Sequence, residues 1–225
     1  MKIIGHIHTD FPTKFGIPRQ SGLVEELKAT ITFEPEFRNP EAFRGLEEFS
    51  YIWLLWKFSK SEKDNWSATV KPPRLGGKKR MGVFATRSPY RPNDIGLSSV
   101  KLEKIVFDEK QGPVLFVAGA DLMDGTPIYD IKPYVTYADS HPDATEGFAG
   151  KVKDKKLTVD FPMELLEKYP EEKRAAIIGV LKQDPRPAYD TDETRVYGVE
   201  FAGYDVRFVV NGELLTVKEL VKLDK

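Results

Sequence analysis

Residues 1–8 and 27–33 alternate between apolar and polar side chains, with the period of two that is typical of half-buried β-strands. The aromatic and aliphatic run at 51–58 predicts a fully buried strand, and the first 140 residues as a whole are rich in short strands. Loops rich in glycine and proline, such as residues 11–18, separate the runs. Asn39 followed by Pro40 has the pattern of a helix start and predicts a short helix to about Glu48. Short strands with little helix predict a barrel or a sandwich rather than a Rossmann fold. The predicted strands cover residues 1–8, 27–33, 51–58, 82–86, 95–107 and 113–118.

The pattern changes in the last third of the chain. Residues 162–168 and 171–182 have helical spacing, with Ala175, Ile178 and Leu181 on one face. Two strands are predicted at 195–201 and 206–210. Asn211-Gly212 between two apolar pairs is the strongest hairpin signal in the chain. A polar segment near 140–155 separates the two parts, so we predict a mainly β, α+β protein with domains at 1–145 and 155–225.

Composition excludes several classes of protein. The chain has 225 residues, of which 40% are hydrophobic and 31% charged, as in an ordinary globular protein. A formal net charge of −1 means that any contact with nucleic acid must be a local patch. Without cysteine there can be no disulfide, thiolate nucleophile or cysteine zinc site. No run has the length of a signal peptide core or a membrane span, so we expect a cytoplasmic protein that has no membrane partner.

A run of one charge sign marks the middle of the chain. No acidic residue lies between Asp64 and Asp94. Polyanions are the natural partners of such a patch, although a solvated face paired with acids elsewhere is the alternative. Pro72-Pro73 and Gly76-Gly77 predict a shaped loop. The basic residues of the run are Lys71, Arg74, Lys78, Lys79, Arg80, Arg87 and Arg91.

Two arginines of this run, Arg87 and Arg91, lie in the proline-stiffened sequence ATRSPYRPND. Because proline fixes the backbone, their guanidinium groups are positioned at a lower entropic cost. Arginine suits carboxylates and phosphates, so this segment is a candidate binding loop. The alternative is a tight structural turn with surface arginines.

A third candidate is the sequence DLMDGTPIYDIKPYVTYAD, which we interpret as a strand end followed by a turn and a polar loop. Its carboxylates and tyrosines could bind ribose hydroxyls, a cation or a base, and the alternative is an Asp-Gly turn with surface tyrosines. The residues concerned are Asp121, Asp124, Asp130, Asp139, Tyr129, Tyr134 and Tyr137.

Other motifs are weak or missing. His6 and His8 share one face of a strand, but no third ligand is evident nearby, so we predict no metal site. The chain has neither GxxxxGK[ST] nor GxGxxG after a strand, and no Ser–His–Asp set can be assembled.

Taken together, the motifs resemble the TrmO tRNA methyltransferases over nearly the whole chain. The resemblance implies an antiparallel β-barrel methyltransferase domain and S-adenosyl-L-methionine as cofactor. It also implies methylation of N6 of threonylcarbamoyladenosine, 3′ of the anticodon at position 37 of tRNA, by a cytoplasmic homodimer. In chain order the motifs are Pro18-Arg19-Gln20, FSYIWLL (49–55), KPPRLGG (71–77), MGVFATRSPYRPNDIGLS (81–98), DLMDGTPIYDIKPY (121–134) and DPRPAY (184–189).

The resemblance also assigns a cofactor site. Relatives often have histidine at position 59 and RPNPIG at 91–96, so Ser59 and Asp94 depart from the family pattern. The implied cofactor-binding residues are Pro18, Arg19, Gln20, Ser59, Lys60, Arg87, Leu97, Asp124, Gly125, Thr126 and Pro127.

The implied reaction needs a group that removes a proton from N6. We take Asp130 and Tyr134 as candidates, and Asp139 is a further candidate. Two alternatives stay open, namely a non-catalytic RNA-binding module and a methyltransferase that acts on a small molecule. The expected RNA-binding residues are Arg74, Lys78, Lys79, Arg80, Arg91, Arg186 and Tyr189.

Overall fold

The computed structural model describes residues 1–59, 66–72, 75, 79–150, 156–186 and 192–224. Six strands form a closed antiparallel barrel in the order β1-β2-β7-β6-β3-β8, and β4 and β5 form a separate two-stranded ribbon. The strands are β1 (Gly5–His8), β2 (Lys28–Phe33), β3 (Tyr51–Lys57), β4 (Thr69–Val70), β5 (Met81–Gly82), β6 (Ile95–Asp108), β7 (Gly112–Ala118) and β8 (Thr126–Pro133).

Alternation along the strands fills the barrel. In β3 every second residue points inward, and Ile52 and Leu54 are fully buried. They pack with Ile7 of β1 and Ile31 of β2 in one cluster of aliphatic side chains. Because the period of a strand is two, the same alternation puts the other side chains on the outside of the barrel. The predicted antiparallel barrel is confirmed, and the arrangement is not a Rossmann fold.

Strand β8 differs from the sequence interpretation. We predicted a polar loop after Asp124-Gly125, but residues 126–133 form a strand that closes the barrel between β1 and β3. Its buried residues are Thr126 and Ile128, and one of these two is polar, so the apolar alternation is weak in the sequence. Pairing with both neighbours supplies the backbone hydrogen bonds that make the strand.

Two further predictions were wrong. Residues 82–86 are not a strand, because β5 ends at Gly82 and a 3-10 turn follows, closed by the Thr86 hydroxyl on the Val83 carbonyl at 2.8 Å. The predicted helix to Glu48 consists of two 3-10 turns separated at Gly45, where φ is 84°. Asn39 does accept a hydrogen bond from the amide of Glu41 at 3.0 Å, as its predicted capping role requires.

The last third of the chain forms a four-stranded sheet in the order β10-β11-β12-β9, covered by the helix α4. The predicted helix at 171–182 is confirmed, but the face that it buries includes Ala176 and Ile177, and Ala175 is exposed. The elements are α1 (Thr136–Asp139), α2 (Gly147–Gly150), β9 (Thr158–Asp160), α3 (Met163–Leu166), α4 (Glu171–Lys182), β10 (Tyr197–Phe201), β11 (Tyr204–Asn211) and β12 (Leu214–Lys222).

The loop between β1 and β2 packs against this C-terminal sheet. Phe11 is 1% exposed and meets Phe201 edge-on, with ring centroids 5.2 Å apart. Lys173 of α4 pairs with Asp10 at 2.5 Å. At Gly16, where φ is 88°, an added Cβ would lie 2.6 Å from Val199. The C-terminal sheet and α4 therefore hold in place the loop that carries residues 18–20.

Among the described residues, no helix is both long and apolar enough to cross a membrane.

Candidate cofactor site and nucleic-acid face

A cleft of about 420 Å³ opens between the β1–β2 loop, the ends of β3 and β6, and the segment before β8. Its size is within the usual range of small-molecule sites. The cleft brings together residues that are far apart in the sequence. Of the predicted cofactor-binding residues, those that line it are Pro18, Arg19, Gln20, Ser59, Arg87, Leu97 and Thr126.

The Asp124-Gly125 turn contacts its own scaffold rather than this cleft. The carboxylate of Asp124 accepts from the Thr9 amide at 3.1 Å and lies 3.5 Å from His8. Gly125, with φ at 71°, donates its amide to Ile7 of β1 at 2.9 Å. Asp124, Gly125 and Pro127 are not among the described lining residues, and Lys60 lies outside the described part of the chain.

Positive charge dominates the cleft. Five of its described lining residues are basic, whereas Asp121 is its one described acidic residue. An Arg87 guanidinium nitrogen donates to the side-chain oxygen of Gln20, which joins the ATRSP segment to the β1–β2 loop. A ligand with a carboxylate or phosphate suits such a lining. The basic lining residues are Lys14, Arg19, Lys57, Arg87 and Arg91.

Aromatic rings form another part of the wall. Trp56 and Phe58 both line the cleft, with ring centroids 4.3 Å apart. A purine ring or a ligand cation is favourable against such surfaces. The cleft thus combines anion-binding side chains with an aromatic wall, in which the two rings are inclined at 59° to each other.

A chain of hydrogen bonds leads from the barrel interior to the carboxylate of Asp121. The indole nitrogen of Trp56 donates to Ser98 Oγ at 3.0 Å, and the Ser98 hydroxyl donates to Asp121 Oδ1 at 2.6 Å. Burial raises the pKa of Asp121, and the Ser98 hydrogen bond and the nearby Arg87 charge offset that rise only in part. A carboxylate held in one orientation, with a raised pKa, is suited to accept a proton.

Asp130 and Tyr134, the general-base candidates of the sequence, lie on the outside of the barrel. Asp130 pairs with Lys132 at 2.8 Å, and Tyr134 packs on Trp53 with ring centroids 5.6 Å apart. Neither is among the described lining residues of the cleft. Asp139 accepts from the Val135 amide and the Trp53 indole, and these hydrogen bonds lower its pKa, which makes it a weaker base.

The expected RNA-binding residues have different surroundings. Lys79 and Arg80 are exposed, and Arg80 donates to the hydroxyl of Thr69 at 2.7 Å. Arg91 lines the cleft. Arg186 makes a two-pronged contact with Asp184, at 2.9 and 3.0 Å, and is largely buried. Arg74, Lys78 and Tyr189 lie outside the described residues.

The two histidines of β1 each lie near a carboxylate. His6 lies 3.2 Å from Glu34, and His8 lies near Asp124 as described above. Within the described part of the chain, no group of three or more His, Cys, Asp or Glu residues could hold a metal ion. Asp94, where the chain departs from the family pattern, lies 3.9 Å from Lys57.

The sequence did not indicate that Asp121, Ser98 and Trp56 form one hydrogen-bonded group. Asp121 was one of four aspartates in its segment, and nothing in the spacing separates it from the others. One feature of the sequence could have identified it. Asp121 comes three residues after the end of β7, and the two residues between them, Gly119 and Ala120, are small, which keeps the carboxylate near the end of the barrel.

The packing of Gly96 on Trp56 gives a first prediction. A Cβ at position 96 would overlap the Trp56 indole, so Gly96→Ala must push that ring away from Ser98. We expect a loss of about 1–3 kcal/mol in the free energy of unfolding, measured by urea denaturation. Gly82→Ala is the matched control, since a Cβ there has open space. Equal stability of the two variants would contradict the tight packing.

The fold and the cleft define a class of protein: a small β-barrel protein with a basic, aromatic ligand cleft and a C-terminal α+β unit that supports it. The family model described as "tRNA-methyltransferase O N-terminal domain" matches residues 6–140. The model described as "TrmO C-terminal domain" matches residues 154–223. The chain belongs to the TrmO family.

Individual relatives agree with this membership. The chain is 41% identical over 215 residues to the tRNA (adenine(37)-N6)-methyltransferase of Escherichia coli, covering 92% of this chain and 91% of that protein. It is 41% identical over 148 residues to the human protein of the same name, covering 65% of this chain and 32% of that one. The crystal structure of TrmO from Pseudomonas aeruginosa aligns with a TM-score of 0.76 at 34% identity, covering 97% of each chain.

Proposed function

We propose that this protein is an S-adenosyl-L-methionine-dependent tRNA methyltransferase that methylates N6 of adenosine 37, in its threonylcarbamoyl form, next to the anticodon. The observation that carries the proposal is the cleft, in which basic and aromatic side chains surround one half-buried carboxylate. The names of the Escherichia coli and human relatives support the substrate and the position of the methyl group.

The lining of the cleft fits the chemistry of the cofactor. When bound, S-adenosyl-L-methionine supplies a methyl group on a sulfonium. Arg19 and Arg87 are the natural partners of its carboxylate, because guanidinium groups bind carboxylates in a fixed geometry. Trp56 and Phe58 offer apolar surface for a ring or a sulfonium. A relative from Pyrococcus abyssi, 36% identical over 148 residues, has the name "probable S-adenosyl-L-methionine-binding protein".

Asp121 takes the proton that the reaction releases. Transfer of the methyl group to N6 would convert the sulfonium to a neutral thioether and would require a base to take up the N6 proton. Since the lone pair of N6 is delocalised into the ring, a base that withdraws the proton makes the nitrogen a better nucleophile. The hydrogen bond from Ser98 to Oδ1 holds the carboxylate of Asp121 in one orientation at the wall of the cleft. This role replaces the one expected for Asp130 and Tyr134.

The exposed basic residues beside the cleft bind tRNA phosphates. Lys79 and Arg80 directly precede β5, in the stretch that has no acidic residue. Arg91 reaches the cleft itself and so lies where the tRNA loop meets the cofactor. The roles of Arg74, Lys78, Arg186 and Tyr189 in RNA binding stay predictions.

The protein acts as a cytoplasmic homodimer in this proposal. Tyr51 and Leu97, on the outer faces of β3 and β6, are large hydrophobic side chains that are 41% and 49% exposed, and Leu97 also lines the cleft. Such side chains on neighbouring strands suit a contact between two copies. Sedimentation velocity of the purified protein should give twice the mass of the chain, and a monomer at micromolar concentration would refute the dimer.

The function is tested with tRNA from cells that lack the enzyme. Purified protein and methyl-labelled S-adenosyl-L-methionine should label this tRNA, and digestion should place the label on N6 of the modified adenosine. The same tRNA without the threonylcarbamoyl group is the control substrate.

Three results would separate the alternatives. Labelling of a small molecule but not of tRNA would indicate a different methyltransferase. Binding of tRNA with no thermal stabilisation by millimolar S-adenosylhomocysteine would favour a non-catalytic RNA-binding module. Equal labelling of the two tRNA preparations would refute the threonylcarbamoyl requirement alone.

A further inference from the structure

The β4–β5 ribbon brings two aromatic side chains together outside the cleft. Thr69 pairs with Gly82, and the ladder continues one step further, where the Val83 amide donates to the Ala68 carbonyl at 3.0 Å. Trp66 and Phe84 are thereby brought side by side. Their ring centroids are 6.2 Å apart and their planes differ by only 23°. We refer to these two rings as the aromatic platform.

Both rings of the aromatic platform are exposed, although the backbone under them is fixed. Phe84 is 71% exposed and Trp66 is 52% exposed, whereas Val83, the residue before Phe84, is 1% exposed. The Thr86 hydroxyl closes the turn that presents Phe84. Rigid, nearly parallel aromatic rings that contribute little to the core are typical of surfaces that bind a partner.

Arg91 links the aromatic platform to the cleft. Its guanidinium nitrogen donates to the carbonyls of Val83 at 3.1 Å and Thr86 at 2.7 Å, so it braces the turn that carries Phe84. The guanidinium carbon lies 5.6 Å from the centre of the Phe84 ring. Arg91 also lines the cleft, so a ligand on the aromatic platform would lie next to a ligand in the cleft.

The charge around the aromatic platform indicates the chemistry of its partner. The stretch between Asp64 and Asp94 contains no acidic residue, and Lys71, Lys79 and Arg80 are exposed within it. Flat aromatic rings set among cations fit the stacked bases and phosphates of a single-stranded nucleic acid. A duplex offers no free base face, so the loop of a tRNA is the fitting part of such a partner.

We propose that the aromatic platform stacks the base of the nucleotide that neighbours the target adenosine, and so holds the anticodon loop open at the cleft. The inference rests on the proposed function for the identity of the RNA. A base held there keeps the loop unstacked, which lets the target adenosine enter the cleft. Stacking accepts any base, so the platform contributes affinity and positioning rather than sequence reading.

The test compares variants of Phe84 in binding to an anticodon stem-loop, followed by fluorescence anisotropy. Phe84→Ala should weaken binding about tenfold, and Phe84→Leu, which keeps an apolar side chain but not the ring, should weaken it similarly. Phe84→Trp should restore binding. Because stacking releases no counterion, the salt dependence should stay that of the wild type, whereas Lys79→Ala should flatten it.

The matched control is Phe107→Ala, since Phe107 is also an exposed phenylalanine, at 55%, in the distant β6–β7 hairpin. It should bind the stem-loop like the wild type. Wild-type affinity of both Phe84→Ala and Phe84→Leu would overturn the proposal, as would a change in oligomeric state instead of RNA affinity. These readouts need no methyl transfer, so failure of the wild type to methylate tRNA would refute the proposed function separately.

Discussion

Replacing Asp121 by asparagine is expected to lower kcat for tRNA methylation by about 10²- to 10⁴-fold, the usual contribution of a general base. Asparagine keeps the shape of the side chain and an oxygen that can accept from Ser98, but it cannot take up a proton. Binding of S-adenosylhomocysteine, measured by calorimetry, should change little. The loss should therefore appear in kcat under single-turnover conditions.

Asp130→Asn is the control for this prediction, because Asp130 was the candidate that the sequence offered and it lies on the outer face of the barrel. Its kcat should be close to that of the wild type. If Asp130→Asn rather than Asp121→Asn abolished methyl transfer, the role of Asp121 as the proton acceptor would be refuted.

The raised pKa of Asp121 predicts how both kcat and the free energy of unfolding change with pH. The ionised carboxylate is the form that accepts a proton, so kcat should fall as the pH is lowered through a pKa above the ordinary value of 3.8. Burial disfavours that same ionised form, so it costs stability as the pH rises through the raised pKa. Asp121→Asn should then unfold no more easily than the wild type at pH about 7 while being inactive. A large loss of stability there would assign Asp121 a structural role.

Replacing Arg87 by alanine is expected to weaken cofactor binding by about 10- to 100-fold, the effect of one lost hydrogen bond to a charged group. Arg87 lines the cleft and contacts Gln20, so its loss removes both a cation and a contact between two lining segments. Calorimetry with S-adenosylhomocysteine measures the change. Arg87→Lys should recover part of the affinity, because it keeps the charge but not the planar fork.

Two further measurements separate this role from a general loss of structure. Arg44→Ala removes an arginine whose side chain is 75% exposed and pairs only locally with Glu41, so it should bind the cofactor normally. In Arg87→Ala the pKa of Asp121 should rise further, since the Arg87 charge opposes the effect of burial. The low-pH limb of the kcat profile should move to higher pH, and an unmoved limb would contradict the pairing of these groups.

The pattern of short apolar runs predicted a barrel or a sandwich, because such a pattern is a local property, and the family resemblance implied the barrel. Strand β2 alternates and β3 and β7 are apolar runs, and these strands and β6 form where the sequence pattern indicates. Strand β8 was missed because its neighbours β1 and β3, rather than its own pattern, supply the reason for it to extend. Residues 82–86 were predicted wrongly for a similar reason. The hydroxyl of Thr86 donates a hydrogen bond to the Val83 carbonyl, and the resulting turn ends the ribbon.

By itself the sequence determined the family, a strand-rich N-terminal part with the pattern of a barrel or a sandwich, and two segments that line the cleft, Arg87 and residues 18–20. Only the tertiary structure distinguished Asp121 from Asp130, although both are aspartates of one motif. They differ because Ser98 and Trp56, from other strands, surround one carboxylate, whereas the other faces outward beside Lys132. The environment that sets a pKa comes from residues distant in the chain, so no local pattern contains it.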